Sequence, residues 1–209
     1  MLNITLDVND FYFSYGLESL LRENEGLSEH EVNISYGLDD KSVGHADIIV
    51  TTFLAGEAYI CHDIFKKRKS GGWLICIFSG KIPPRLTSLP SCFNDAIFIS
   101  RYDDISALVN NLVKYNNKKL NREGAIDKCL NCNCRSLTGK QLKIATYIYC
   151  GLESKKIADN LSIDIKTVYA HKKQLMQKFD LSTDYELFEF LTLLKNKTSF
   201  SNTFGCLFK

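Results

Sequence analysis

A doubly wound α/β domain on a five-stranded parallel sheet, followed by a small all-α domain, is the architecture predicted for this chain. Three observations predict it. Over residues 1–118, strand-length apolar runs alternate with segments of helical period, the pattern of a parallel sheet covered on both faces. From residue 137 onward, helix-capping signals recur at short intervals and no strand pattern remains. The 209 residues are enough for two such units. The boundaries expected are 1–118, a linker at 119–136, helices over 137–195 and a tail at 196–209.

The elements follow in order. Residues 2–8 alternate apolar and polar and read as a strand, and 11–24 carry Phe13, Leu17, Leu20 and Leu21 at helical spacing. Val32, Ile34 and Tyr36 alternate again, and 46–53 form a buried strand, leaving only a truncated helix, or none, between them. Residues 56–68 are expected as one helix ending in Lys66-Lys67-Arg68-Lys69, cations that suit a helix C-terminus. Residues 73–78 are a continuous apolar strand; Pro83, Pro84 and Pro90 make the next stretch irregular. Residues 95–100 supply a fifth strand and 104–117 a closing helix.

In the second half, Thr138 and Gln141 bracket a capping box for a helix reaching about Tyr149, and Gly151 suits the position just after it. Ser154 is expected to cap a short helix with Ile157, Ala158 and Leu161 on one face. Asp164 caps a longer helix, 165–179, with Val168, Leu175 and Phe179 inward. Thr183 and Glu186 form a second capping box before a final helix bearing Leu187, Phe188, Phe190, Leu191 and Leu194.

Composition excludes several classes. With 45% hydrophobic and 24% charged residues the chain is globular rather than disordered. No apolar run is long enough for a membrane-spanning helix, and the first residues lack a basic region before an apolar core, so a cytoplasmic location with mostly free thiols is expected. The net charge of +2 hides an asymmetry. Residues 1–118 hold 11 basic and 15 acidic side chains, whereas 137–195 hold nine and seven. Lys166, Lys172, Lys173 and Lys178 share the stretch 165–179, which has no acidic residue and is a candidate phosphate-binding surface.

Five β/α units in this order resemble a response-regulator receiver domain. In that family an acidic cluster follows the first strand, a phosphoacceptor Asp the third, a hydroxyl residue the fourth and a Lys the fifth. The matching positions here are Asn9-Asp10, Thr52, Ser79 and Ser100-Arg101. Thr52 cannot replace the attacking carboxylate, and the Lys is absent. The resemblance therefore implies an atypical receiver that has lost phosphotransfer, with Asp10 and Ser79 in the plain roles of helix cap and strand-end hydroxyl. Asp47 is an unsuitable acceptor because it lies at the start of a strand.

Two short helices joined by a tight turn, the second of them basic, form a helix-turn-helix. Leu137-Thr138, then Gly151 to Ala158, then Leu161-Ser-Ile-Asp-Ile-Lys-Thr-Val-Tyr-Ala-His171 resemble the DNA-binding domain of the LuxR/FixJ family. Departures are Lys156, where the family usually has Glu, and Ser162, where Gly is frequent. The resemblance implies a transcription regulator whose helix 165–179 enters the major groove. Base reading falls to Tyr169, Ala170 and Lys173, and phosphate contacts to Ser154, Lys155, Lys166, Thr167, Lys172 and Lys178. It also implies a homodimer, or a heterodimer with a related response regulator, through Leu187, Phe188, Leu191 and Leu194. The other implied partners are double-stranded promoter DNA and, as a candidate contact, RNA polymerase. His171 is expected to pack or touch a phosphate, and Val168 to sit in the core.

Cys129, Cys132 and Cys134 can be three zinc ligands, redox-sensitive thiols or simply reduced linker cysteines; no second ligand pair accompanies them. Adjacent Cys61 and His62 would point apart on a helix and make no catalytic pair. No enzyme activity, cofactor or metal is expected. Two alternatives stay open, a phosphorylated two-component regulator and a thiol- or zinc-sensing regulator.

Overall fold

The computed structural model describes residues 1–23, 31–80, 83–85, 88–93, 95–104 and 135–196. The expected helix 104–117, the cysteine cluster and the tail beyond residue 196 lie outside the described residues, apart from Asp104. The chain divides into two compact units, one built on the sheet and one containing Arg135 onward together with the segment Leu54–Ile60.

The first unit contains β1 (Leu2–Asp7), α1 (Phe11–Glu23), β2 (Val32–Tyr36), α2 (Asp40–His45), β3 (Ile48–Phe53), β4 (Trp73–Phe78) and β5 (Ile97–Ser100). All pairings are parallel, in the order β2-β1-β3-β4-β5. This is the doubly wound arrangement that the alternating pattern predicts. Every residue of β4 is buried, and five of six in β3, so β4 is apolar throughout and β3 departs from that only at Thr51 and Thr52, as expected of strands covered on both faces. The half-exposed β2 at the edge keeps polar residues between Val32, Ile34 and Tyr36. Leu17 and Leu21 of α1 join Leu2, Ile4, Leu6, Ile48, Val50 and Ile75 in one core. Each such side chain contributes about 1.5–3 kcal/mol through burial.

The truncated helix between β2 and β3 is α2, six residues long. It starts at an Asp39 capping box: the Asp39 carboxylate accepts from Lys41 N at 2.8 Å and Ser42 N at 2.7 Å, while Ser42 Oγ accepts from Asp39 N.

The single helix expected over 56–68 is corrected to two 3₁₀ turns, Glu57–Tyr59 and Asp63–Lys67. Ile60 and His62 between them are extended. The reason is burial: Glu57, Ala58, Tyr59 and Ile60 are all buried, and four consecutive residues cannot share one face of a surface helix. Of the basic run, Lys66 and Lys67 end the second turn and Arg68 caps it, but the cations are held by specific partners. Arg68 is 6% exposed and donates to the Asp95 carboxylate at 2.7 Å and to the Cys92 carbonyl at 3.0 Å. Lys69 pairs with Asp47 at 2.7 Å, and Lys67 with Asp40.

The second unit carries α3 (Gly139–Tyr149), α4 (Ser154–Leu161), α5 (Ile165–Lys178) and α6 (Asp184–Asn196). The Thr138 box closes as expected, with Thr138 Oγ1 accepting from Gln141 N and Gln141 Oε1 from Thr138 N. The Thr183–Glu186 box closes likewise. Gly151 takes φ +74° at the end of α3, where a side chain would be strained. One cap is corrected: α4 begins at Ser154 itself, with Glu153 in the cap position and no side-chain bond to the helix amides. Ile144, Ile157, Ala158 and Val168 form the core of the first three helices.

Candidate nucleic-acid interface

The second helix of the helix-turn-helix, α5, is anchored at its start by Asp164, whose Oδ1 accepts from Lys166 N at 2.7 Å. Val168 and Leu175 are 1% exposed and fix which face turns inward. That geometry leaves Lys166, Thr167, Tyr169, Ala170 and Lys173 on the exposed side. Tyr169, Ala170 and Lys173 stand at i, i+1 and i+4, so they share a strip of the helix surface, and Tyr169 is 55% exposed. Before α5 the chain turns at Ser162, which adopts φ 51°, a left-handed conformation that Gly would take more cheaply.

The lysines divide into two groups. Lys155, Lys166 and Lys173 are exposed and make no ion pair among the described residues. Lys172 instead pairs with Asp184 at 2.7 Å, and Lys178 donates to the Ser136 carbonyl at 2.5 Å. Lys166, Lys172 and Lys178 are all expected at phosphates, and only the arrival of Asp184 and Ser136 separates the last two from the first. Arg135 also donates to the Lys178 carbonyl and lies 3.8 Å from Asp180, contacts that no local pattern signals.

The expected dimer stripe needs correction. Leu187, Leu191 and Leu194 are 0–1% exposed within the chain, filling its core rather than offering surface to a partner. Phe188 alone of the four is exposed, stacked on Tyr149 with ring centroids 5.7 Å apart.

At the carboxyl ends of the strands, register brings Asp7 beside Thr51 and Phe78 beside Ser100. Asp7 accepts from the Thr51 hydroxyl at 3.1 Å. Asp10 caps α1 by accepting from Phe13 N at 3.1 Å and pairs with Arg101 at 2.6 Å. The Phe13 amide, and next the Arg101 guanidinium, hold the Asp10 carboxyl below its ordinary range. Ser79 Oγ lies 3.5 Å from the Phe53 carbonyl, the strand-end role expected of it. The Asp10–Arg101 pair was not foreseen; an Arg just after β5, facing the loop after β1, was the available signal. Asp47 sits before β3, at the opposite end of the sheet, bound to Asn3 N and Lys69.

A family model described as "Bacterial regulatory proteins, luxR family" matches residues 135–191. These residues form a LuxR-type helix-turn-helix domain. The oxygen regulatory protein NreC of Staphylococcus carnosus is 36% identical over 74 residues, and that of Staphylococcus haemolyticus 35%. Each match spans 35% of this chain and 34% of the relative, so the sequence likeness covers about a third of either protein. Among solved structures, RcsB from Salmonella enterica serovar Typhimurium bound to promoter P1flhDC aligns over 91% of this chain and 97% of that one, with TM-score 0.56 and 16% identity. RcsB bound to promoter rprA aligns with TM-score 0.52 and 15% identity, over 91% of this chain and 98% of that one. At that identity the likeness is one of fold, a receiver-like α/β unit preceding the LuxR-type domain. No helix among the described residues is long and apolar enough to cross a membrane.

Proposed function

We propose that this chain is a sequence-specific DNA-binding transcription regulator that works without phosphotransfer and without enzyme chemistry of its own. The observation that carries the reading is the free strip of α5 in a LuxR-type domain: Tyr169, Ala170 and Lys173 exposed on a helix that Val168 and Leu175 hold from behind. A helix of this diameter fits the major groove, where each base pair shows a distinct donor and acceptor pattern. Lys173 donates to guanine O6 or N7, Ala170 touches a thymine methyl, and Tyr169 uses ring or hydroxyl. Lys155, Lys166, Thr167 and Ser154 reach phosphates and set the register. Lys172 and Lys178 join them only by giving up Asp184 and the Ser136 carbonyl.

One module of this size reads a short half-site, so the regulator acts as a homodimer or beside a related response regulator. NreC is an oxygen regulatory protein and RcsB binds promoters; the same class of target, promoter DNA, is proposed here. Phosphorylation independence is supported by Thr52 at the acceptor position and by Arg101 engaging Asp10.

The test is genome-wide recovery of DNA with the tagged chain, followed by footprinting of the strongest sites. Discrete sites with a shared half-site motif, lost with a Tyr169→Ala/Lys173→Ala variant, are expected. Recovery without sequence preference overturns the reading. Stable labelling of the chain by acetyl phosphate overturns its phosphorylation-independent part.

A further inference from the structure

We propose that the helix-turn-helix unit holds a binding pocket for a small amphipathic carboxylate, between α3 and the α4–α5 turn. A cavity of about 180 Å³ opens there. Ile144, Leu161 and Ile163 line it with apolar surface, and Lys140, Lys143, Thr167 and His171 complete its wall. An apolar cavity of about 150 Å³ already accommodates a benzene ring, so this one takes a short alkyl or single-ring body.

The polar wall assigns the sign of the ligand. Lys140 and Lys143 are exposed and make no ion pair among the described residues, and no Asp or Glu lines the cavity. An oxyanion between two ammonium groups, with its apolar body on Ile144, Leu161 and Ile163, satisfies charge and shape together. A DNA phosphate would engage the lysines but leave the apolar floor unused. Occupancy of the pocket is measured without DNA.

The experiment is calorimetric titration of the full-length chain with octanoate and, separately, with octanol. Saturable one-to-one binding of octanoate, tighter than octanol, is expected. A Lys140→Gln/Lys143→Gln variant, altered only at exposed positions, should weaken octanoate about tenfold while leaving octanol unchanged. Leu161→Trp, which fills the floor, should abolish binding of both. If that variant does not fold, the lysine pair and the octanol comparison still decide. No saturable octanoate binding, equal affinity for octanol, or unchanged affinity in the lysine variant overturns the proposal.

Discussion

The carboxyl edge of the sheet and the outer strip of α5 both carry charge, but they use it in opposite ways. At the sheet edge Asp10 is engaged by Arg101 and by the Phe13 amide, and Asp7 by Thr51. In the same unit the enclosed Arg68 meets Asp95 at the surface, and an exposed Lys69 closes on the buried Asp47. On α5, Lys166 and Lys173 are left open, and so is Lys155 on α4. The contrast separates charges that hold a fold from charges that remain available to a partner. Closed pairs set geometry and contribute to stability; open lysines contribute little to folding and keep their electrostatic attraction for phosphate.

The largest effect expected is on a closed pair. Asp95→Ala leaves the enclosed Arg68 with carbonyl partners only, and should destabilise the first unit by about 2–3 kcal/mol. Denaturant unfolding followed by fluorescence of Trp73, the single tryptophan, reads this unit directly. A change under about 0.5 kcal/mol would show that this pair does no more for the fold than an open surface charge.

Lys173→Ala tests an open charge. It should cost about 1–3 kcal/mol in binding to a preferred site and relax base preference at one position. Its folding stability should stay within about 0.5 kcal/mol of the parent. Equilibrium binding to wild-type and base-substituted sites checks the first, thermal unfolding the second.

Ser162→Gly comes next. Its left-handed backbone should make Gly stabilising by up to about 1 kcal/mol, read as a higher Tm of the helical unit. Lys166→Ala should weaken every DNA sequence alike and flatten the plot of log affinity against log salt by about one. An unchanged slope would show that this lysine meets no phosphate.

The smallest effect concerns Asp10. NMR titration should place its carboxyl below the ordinary 3.8, and Arg101→Ala should raise it only part of the way, because the Phe13 amide is the larger cause. The sign follows from a depressed folded-state value: the cap's contribution is present above 3.8 and is lost as pH falls through the lower folded value.

Much of the site was legible locally. Thr138, Asp164 and Thr183 cap as their spacing requires, since a cap involves residues only two or three apart. The inward set Val168, Leu175 and Phe179 follows from helical period, and with it the outward set Tyr169, Ala170 and Lys173. The break at Ile60–His62 was not legible, because enclosure of four successive side chains overrode a helical pattern. Nor was the inward turn of Leu187, Leu191 and Leu194, since an apolar stripe looks the same whether its own chain or a partner covers it.

By itself the sequence determined the kind of most elements, residues 56–68 excepted, the parallel sense of the sheet, the LuxR-type motif and the face α5 turns outward. These depend on period, capping and turn chemistry within a few residues of chain. Only the tertiary structure decided which lysines stay open, that Arg68 is enclosed, that Arg101 meets Asp10 and that α6 spends its leucines on its own core. Those outcomes depend on which distant residue arrives alongside, and pair energies and burial are set by that neighbour rather than by anything local to the residue itself.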